Sequence, residues 1–153
     1  MPPKNITARP TTDFAKESLF NLLTNRMDFE GVDMLDLFAG TGSLGIEALS
    51  NGAKYVYFID EMKDAINIIK TNIDKIKDKN STIIHSDYTS IIKKFNENNL
   101  KFDIIFIDPP YGKIKIKTVI DKIIKYREEN GKILSRGEIL KQNGWTLLTG
   151  INV

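Results

Sequence analysis

The sequence predicts an α/β fold in which a mostly parallel sheet is covered by helices on both faces. Two observations lead to this prediction. Short apolar runs typical of strands alternate strictly with amphipathic runs typical of helices, and a glycine-rich turn follows the first strand. Such alternation produces a doubly wound parallel sheet, whose ligands bind at the carboxyl ends of the strands. Functional residues are therefore expected directly after the strands.

The individual elements follow from local patterns. Three prolines among the first ten residues predict an extended arm over residues 1–12, ahead of a single domain over residues 13–153. Apolar residues at helical spacing predict helices from Thr11–Asp13 to about Asn25 and over 44–49, 65–76, 88–95 and 119–126. Strands are predicted at 32–38, 55–59, 82–85, 104–107 and 145–149, in the sheet order 3-2-1-4-5. Residues 131–144 are predicted to be a long polar link.

Composition excludes several kinds of site. The chain has no cysteine, so it has no disulfide, thiolate metal site or cysteine nucleophile. His85 is the single histidine and is interpreted as structural, and no metal is expected. No apolar run reaches the roughly 18 residues of a membrane span and no secretory signal opens the chain, so a cytoplasmic protein is predicted. A net charge of +2 permits a nucleic-acid partner without requiring one.

The turn after the first strand has a nucleotide-binding pattern. Gly40, Gly42 and Gly45 form a G-x-G-x-x-G motif between a predicted strand and a predicted helix. Glycines at these positions let the backbone turn tightly and approach a bound nucleotide. Asp60, twenty residues after Gly40, ends the second strand, where a carboxylate can accept hydrogen bonds from ribose hydroxyls. The alternative is that the glycines only form a turn and that Asp60 caps the next helix.

The charge of an acid near this turn, Asp36, helps to predict which nucleotide is bound. Asp36 lies four residues before Gly40, where its charge would repel a pyrophosphate but attract the ammonium or sulfonium group of S-adenosylmethionine. Alternatively, Asp36 orients the turn through hydrogen bonds to backbone amides. Phe38 in the turn, and Asp87 and Tyr88 after the third strand, are further candidate cofactor contacts. Asp87 is equally suited to be a helix N-cap. S-adenosylmethionine is the cofactor that this pattern favours.

The most specific signal is Asp108-Pro109-Pro110-Tyr111, directly after the most apolar strand. The lone pair of a base amine is delocalised into the ring, so the amine is a poor nucleophile. The Asp108 side chain and the Pro109 carbonyl can accept hydrogen bonds from both amine protons and turn the lone pair toward a methyl donor. Tyr111 can stack on the base. The alternative is an ordinary turn that ends the strand, with prolines that fix the backbone.

Together with Arg9-Pro10-Thr11-Thr12-Asp13 before the first helix, these motifs resemble the bacterial 16S ribosomal RNA guanine-N2 methyltransferases of the RsmD type. The resemblance runs from about Asn5 to Gly150. It implies a Rossmann-like class I methyltransferase fold and an enzyme that methylates the N2 amine of a guanine in small-subunit ribosomal RNA, either free or in the particle. It also implies that Asp108 to Tyr111 hold the guanine amine, and that Arg9, Thr11 and Thr12 lie near the substrate entrance. A monomer is expected.

Members of this family usually begin with a basic β-hairpin and end with two further strands. This chain begins at the arm and stops after the strand at 145–149, which would then form an exposed edge. One alternative is therefore a non-catalytic relative that binds cofactor or RNA. A nicotinamide-dependent oxidoreductase would leave Asp36 and the Asp108 turn unexplained, and a DNA adenine methyltransferase would need a target-recognition domain. Five lysines lie between Lys113 and Lys125 and could contact RNA phosphates. The preferred interpretation is that they form a solvated helix face.

Overall fold

The computed structural model describes residues 13–25, 28–98, 100–109, 114–130, 137–142 and 145–150. In this part of the chain the helices are α1 (Asp13–Thr24), α2 (Ser43–Ser50), α3 (Lys63–Ile76), α4 (Tyr88–Glu97) and α5 (Ile116–Asn130). The strands are β1 (Asp33–Asp36), β2 (Tyr55–Asp60), β3 (Ser81–His85), β4 (Ile104–Ile107), β5 (Gly137–Gln142) and β6 (Trp145–Gly150). The predicted arm over residues 1–12 lies outside the described residues.

The strands form one sheet in the order β3-β2-β1-β4-β6-β5. The pairs β1–β2, β1–β4 and β2–β3 are parallel, so the carboxyl ends of four strands meet at one edge. This confirms the doubly wound, mostly parallel fold and the predicted order 3-2-1-4 for these strands. The topology also places the turns after β1, β2 and β4 side by side, because β1 lies between the other two.

The far end of the sheet differs from the prediction. Residues 137–142, predicted as part of a polar link, form β5, and β6 is antiparallel to both β4 and β5. The strand at 145–150 does lie beside β4 as predicted, but it is not an exposed edge, because β5 covers its other side. Only Asn143 and Gly144 separate the two strands. A two-residue connection allows only an antiparallel hairpin, and Asn-Gly is the strongest sequence signal for one.

Apolar side chains fill both faces of the sheet. Met34 and Phe106 point to the face covered by α1, α2 and α3, whereas Leu35 and Ile105 point to the face covered by α4 and α5. Successive residues of a strand point to opposite faces, so a sheet covered on both sides needs an unbroken apolar run. This is why β4 reads Ile-Ile-Phe-Ile, with all four residues buried. Among the described residues, no helix combines the length and hydrophobicity that a bilayer crossing requires.

The third glycine of the motif fixes the distance between α2 and the sheet. A Cβ atom added at Gly45 would overlap the ring of Phe58 and lie 2.9 Å from Cγ1 of Val56, both residues of β2. The helix therefore packs directly on β2 with no room for a side chain, which is the close helix–strand contact expected of this position. As a result, the amino end of α2 is held over the carboxyl edge of the sheet.

Candidate active site

Three carboxylates lie at the carboxyl edge of the sheet, one after each of three neighbouring strands. Asp36 ends β1, Asp60 ends β2 and Asp108 directly follows β4. Asp36 and Asp60 are buried, with 2% and 7% of their surface exposed, and Asp108 is half-buried. The charges of Asp60 and Asp108 both act on Asp36, which stands between them. The structure therefore brings together the acids predicted from three separate motifs.

The glycine loop between β1 and α2 bends through two left-handed residues. Gly40 and Gly42 have φ values of 60° and 81°, a region that side-chain-bearing residues rarely adopt. The Gly42 amide donates to the Ala39 carbonyl at 2.8 Å, closing a tight turn, and Gly42 is the N-cap of α2. The backbone at these glycines therefore has the conformation and lack of bulk that close approach of a nucleotide requires.

Asp60 ties the glycine loop to the start of α3. Its Oδ2 accepts a hydrogen bond from the Gly40 amide at 2.9 Å, and its Oδ1 accepts one from the Met62 amide at 2.8 Å. Met62 is the N-cap of α3, so Asp60 does bind the backbone at the start of the next helix, as the alternative interpretation of this residue proposed. Each carboxylate oxygen has a second lone pair, which leaves capacity to accept a ribose hydroxyl. The two interpretations of Asp60 are thus compatible.

Asp36 is held in an environment that disfavours its charge. The pKa of Asp36 is raised to about 8, mainly by burial and further by the charges of Asp60 and Asp108. A hydrogen bond with the Gly45 backbone has a smaller, opposite effect. Its Oδ2 is buried and has no hydrogen-bond partner among the described residues. A buried carboxyl oxygen without a partner is costly. A cationic group placed beside it would favour its ionised form.

The two aromatic residues predicted to contact the cofactor, Phe38 and Tyr88, lie against each other. The rings of Phe38 and Tyr88 have centroids 5.8 Å apart and are tilted by 50°, and both side chains are half-buried. Asp87 is exposed and is the N-cap of α4: its Oδ1 accepts from the Ser90 amide at 2.8 Å. Hydrogen bonds from Ser90 lower the pKa of Asp87. The capping alternative for Asp87 is confirmed, and its contact with a cofactor stays a prediction.

The structure describes part of the predicted catalytic turn. Asp108 and Pro109 follow β4 and are half-buried at the carboxyl edge, whereas Pro110 and Tyr111 lie outside the described residues. Arg9, Thr11 and Thr12, the predicted substrate contacts, also lie outside them. Of the lysines after this turn, Lys117 pairs with Asp121 one turn along α5 at 2.8 Å. That pairing agrees with a solvated helix face.

One contact of the glycine loop was missed by the sequence predictions. Asn72 of α3 donates from Nδ2 to the Thr41 carbonyl in the glycine loop at 3.0 Å. His85 Nε2 lies 2.7 Å from the Glu61 carbonyl, consistent with its interpretation as a structural residue. The signal for Asn72 was present, because it follows Ile69 by three residues and so shares the apolar face of α3. Among the described residues, no cluster of His, Asp and Glu side chains is arranged to hold a metal ion.

The fold of this chain is similar to that of solved methyltransferase structures. Its fold matches that of an S-adenosylmethionine-dependent methyltransferase from Agrobacterium tumefaciens, with a TM-score of 0.58, 20% identity and coverage of 76% of this chain and 40% of that one. It also matches a hypothetical protein of Thermus thermophilus, with a TM-score of 0.75, 19% identity and coverage of 97% and 91%. The protein therefore has the Rossmann-like methyltransferase fold.

The family follows from sequence. Residues 1–145 match the family model described as Conserved hypothetical protein 95. Ribosomal RNA small subunit methyltransferase D of Buchnera aphidicola subsp. Acyrthosiphon pisum is 35% identical over 151 residues, which cover 94% of this chain and 77% of that protein. The chain belongs to this RsmD-like family, so the resemblance in the motifs is confirmed. It spans 53% to 77% of the length of four curated relatives that it matches.

Proposed function

We propose that this chain is an S-adenosylmethionine-dependent methyltransferase that modifies the exocyclic N2 amine of a guanine in small-subunit (16S) ribosomal RNA. The observation that carries the proposal is the group of three carboxyl side chains beside the glycine loop, in which Asp36 and Asp60 are buried and Asp108 is half-buried. Three neighbouring carboxyl groups favour a nucleotide cofactor that is cationic and has no phosphate, because a cation beside Asp36 would favour its ionised form. Relatives named ribosomal RNA small subunit methyltransferase D support ribosomal RNA as the substrate.

The residues at the carboxyl edge fit S-adenosylmethionine. The left-handed backbone at Gly40 and Gly42 forms the tight turn that would face the adenosine part, and Asp60 has lone pairs for the ribose hydroxyls. The unpartnered Oδ2 of Asp36 suits the cationic methionine end. A nicotinamide cofactor would instead bring a pyrophosphate to the amino end of α2, next to the same acids, where repulsion opposes binding. S-adenosylmethionine, when bound, supplies an electrophilic methyl group on a sulfonium sulfur.

The turn after β4 would hold the amine that receives this methyl group. The Asp108 carboxylate and the Pro109 carbonyl are the two acceptors, and together they can orient the amine lone pair for in-line attack. The Asp108 carboxylate would also stabilise the positive charge that develops on the amine nitrogen as its bond to the methyl carbon forms and the bond between that carbon and the sulfonium sulfur breaks. The nitrogen then releases one proton, which leaves a neutral methylated amine. Asp108 lies directly after a fully buried strand, so its backbone position is set by the sheet and not by a loose loop. Catalysis would then consist mainly of orientation and electrostatic stabilisation.

The test is transfer of a labelled methyl group from S-adenosylmethionine to RNA. The purified chain is incubated with 16S ribosomal RNA, and separately with small subunits isolated from cells that lack the family enzyme. The RNA is then digested to nucleosides, and we expect label in N2-methylguanosine. Label in another nucleoside would support methyltransferase activity but contradict the assignment of the guanine N2 amine as its target. No transfer to either substrate, from a chain that binds S-adenosylhomocysteine, would favour a non-catalytic relative.

A further inference from the structure

Helix α3 makes a polar contact with the glycine loop that none of the predicted motifs contains. Asn72 donates from its side-chain Nδ2 to the carbonyl of Thr41 at 3.0 Å, across 31 positions of sequence. Thr41 lies between Gly40 and Gly42, at the centre of the loop. Asn72 is half-buried and faces the loop from the third turn of α3. This contact therefore joins a rigid helix to the most conformationally permissive part of the candidate site.

The same face of α3 also packs against the loop. A Cβ atom at Gly42 would lie 3.2 Å from Cγ1 of Ile69, which is fully buried. Ile69 and Asn72 are three residues apart, so they are neighbours on one side of the helix. Ile69 thus leaves no free space for a side chain at Gly42, and Asn72 adds a directional interaction. An apolar contact alone would not fix which way a loop carbonyl points.

The hydrogen bond from Asn72 acts on one particular peptide unit. The Thr41 carbonyl belongs to the peptide between Thr41 and Gly42, whose N–H donates to the Ala39 carbonyl at 2.8 Å. The peptide is therefore held at both ends, by Asn72 at its oxygen and by Ala39 at its nitrogen. With glycine on either side of Thr41, few steric barriers would otherwise prevent this peptide from rotating. A rotated carbonyl would present its lone pairs elsewhere in the loop and disturb the start of α2.

We propose that Asn72 is a positioning residue for the cofactor: its hydrogen bond to Thr41 holds the glycine loop in the conformation that admits S-adenosylmethionine. This inference rests on the proposed function, because it assigns the loop to that cofactor. When only a fraction of molecules has the competent loop, the apparent dissociation constant rises by the inverse of that fraction. Loss of one net hydrogen bond should reduce affinity about five- to tenfold.

The experiment measures S-adenosylhomocysteine binding by titration calorimetry together with amide hydrogen exchange in the absence of ligand. Asn72→Ala removes the donor, and Asn72→Asp keeps the shape but places an acceptor against the carbonyl. Asn67→Ala is the matched control, because Asn67 is an exposed residue of the same helix. We expect both Asn72 variants to bind about five- to tenfold more weakly and the Gly42 amide to exchange faster. The control should match the wild-type chain, and Asn72→Gln should restore part of the affinity.

The outcomes separate this inference from the proposed function. If the wild-type chain binds S-adenosylhomocysteine and both Asn72 variants bind equally well, Asn72 is not a positioning residue. Weaker binding with unchanged Gly42 exchange would also overturn the inference, because the effect would not pass through the loop. Should Asn72→Ala fail to fold, the isosteric Asn72→Asp variant gives the same test. A wild-type chain that binds no S-adenosylhomocysteine would instead contradict the cofactor assignment.

Discussion

Asp108→Ala should reduce methyl transfer by about a hundredfold to ten-thousandfold, the range for removing a positioned acid–base or electrostatic group. The substitution removes one of the two acceptors for the amine protons and the negative charge that would stabilise the amine as it becomes cationic. The measurement is the single-turnover rate of transfer to 16S ribosomal RNA. Asp121→Ala is the matched control, because Asp121 is an exposed acid on α5 in a surface ion pair.

Binding of S-adenosylhomocysteine should be spared by the same substitution. Asp108 contributes to raising the pKa of Asp36, so its removal makes Asp36 easier to ionise and does not weaken the attraction for a cofactor. A large loss of transfer with retained binding would assign Asp108 to the chemical step. Transfer at the wild-type rate would show that the proposed mechanism is wrong, and loss of binding together with transfer would place Asp108 in the cofactor site.

Asp36→Asn should change how the stability of the cofactor-free chain depends on pH. The pKa of Asp36 is raised from 3.8 to about 8 in the folded protein, so the native state keeps a proton that the unfolded chain releases. Unfolding then releases a proton at any pH between these two values. The contribution of Asp36 to stability is therefore complete below about pH 4 and is lost progressively as the pH rises toward 8.

The isosteric amide is neutral at every pH, so this loss should disappear in the variant. We expect the free energy of unfolding of the wild-type chain, relative to Asp36→Asn, to fall by about 1 kcal/mol per pH unit between pH 5 and pH 7. Urea denaturation at pH 5, 6, 7 and 8 measures it. Asp74→Asn, an exposed position on α3, controls for removal of a carboxylate. Parallel curves for the wild type and Asp36→Asn would mean that Asp36 is already ionised in the folded protein.

The parallel part of the fold was predictable because its signals are local. The run Ile104–Ile107 is apolar throughout, which is typical of a strand buried on both faces, and its predicted limits match the structure. The hairpin of β5 and β6 was not predicted. Residues 131–144 were interpreted as a polar link because of their polar character, and the Asn143-Gly144 pair inside them was not recognised as a hairpin signal.

The candidate site was predicted to the extent that its residues directly follow strands. Parallel topology makes acids at the ends of β1, β2 and β4 neighbours, and the interaction of Asp36 with Asp60 and Asp108 agrees with this. The contact between Asn72 and Thr41 was not predicted, because it depends on how α3 lies against the loop. The charge state of Asp36 could not be predicted either. It depends on burial and on two neighbouring charges, which exist only in the folded chain.

We propose that the carboxyl edge of this sheet binds S-adenosylmethionine. The decisive measurement is thermal unfolding with saturating S-adenosylhomocysteine and, separately, with NAD. A ligand that binds only the native state, present at a hundred times its dissociation constant, adds about 2.7 kcal/mol of stability. For a domain of this size we expect a rise in Tm of about 5 to 10 °C with S-adenosylhomocysteine and no rise with NAD. A rise in Tm with NAD alone would show that this edge binds a nicotinamide cofactor and not S-adenosylmethionine.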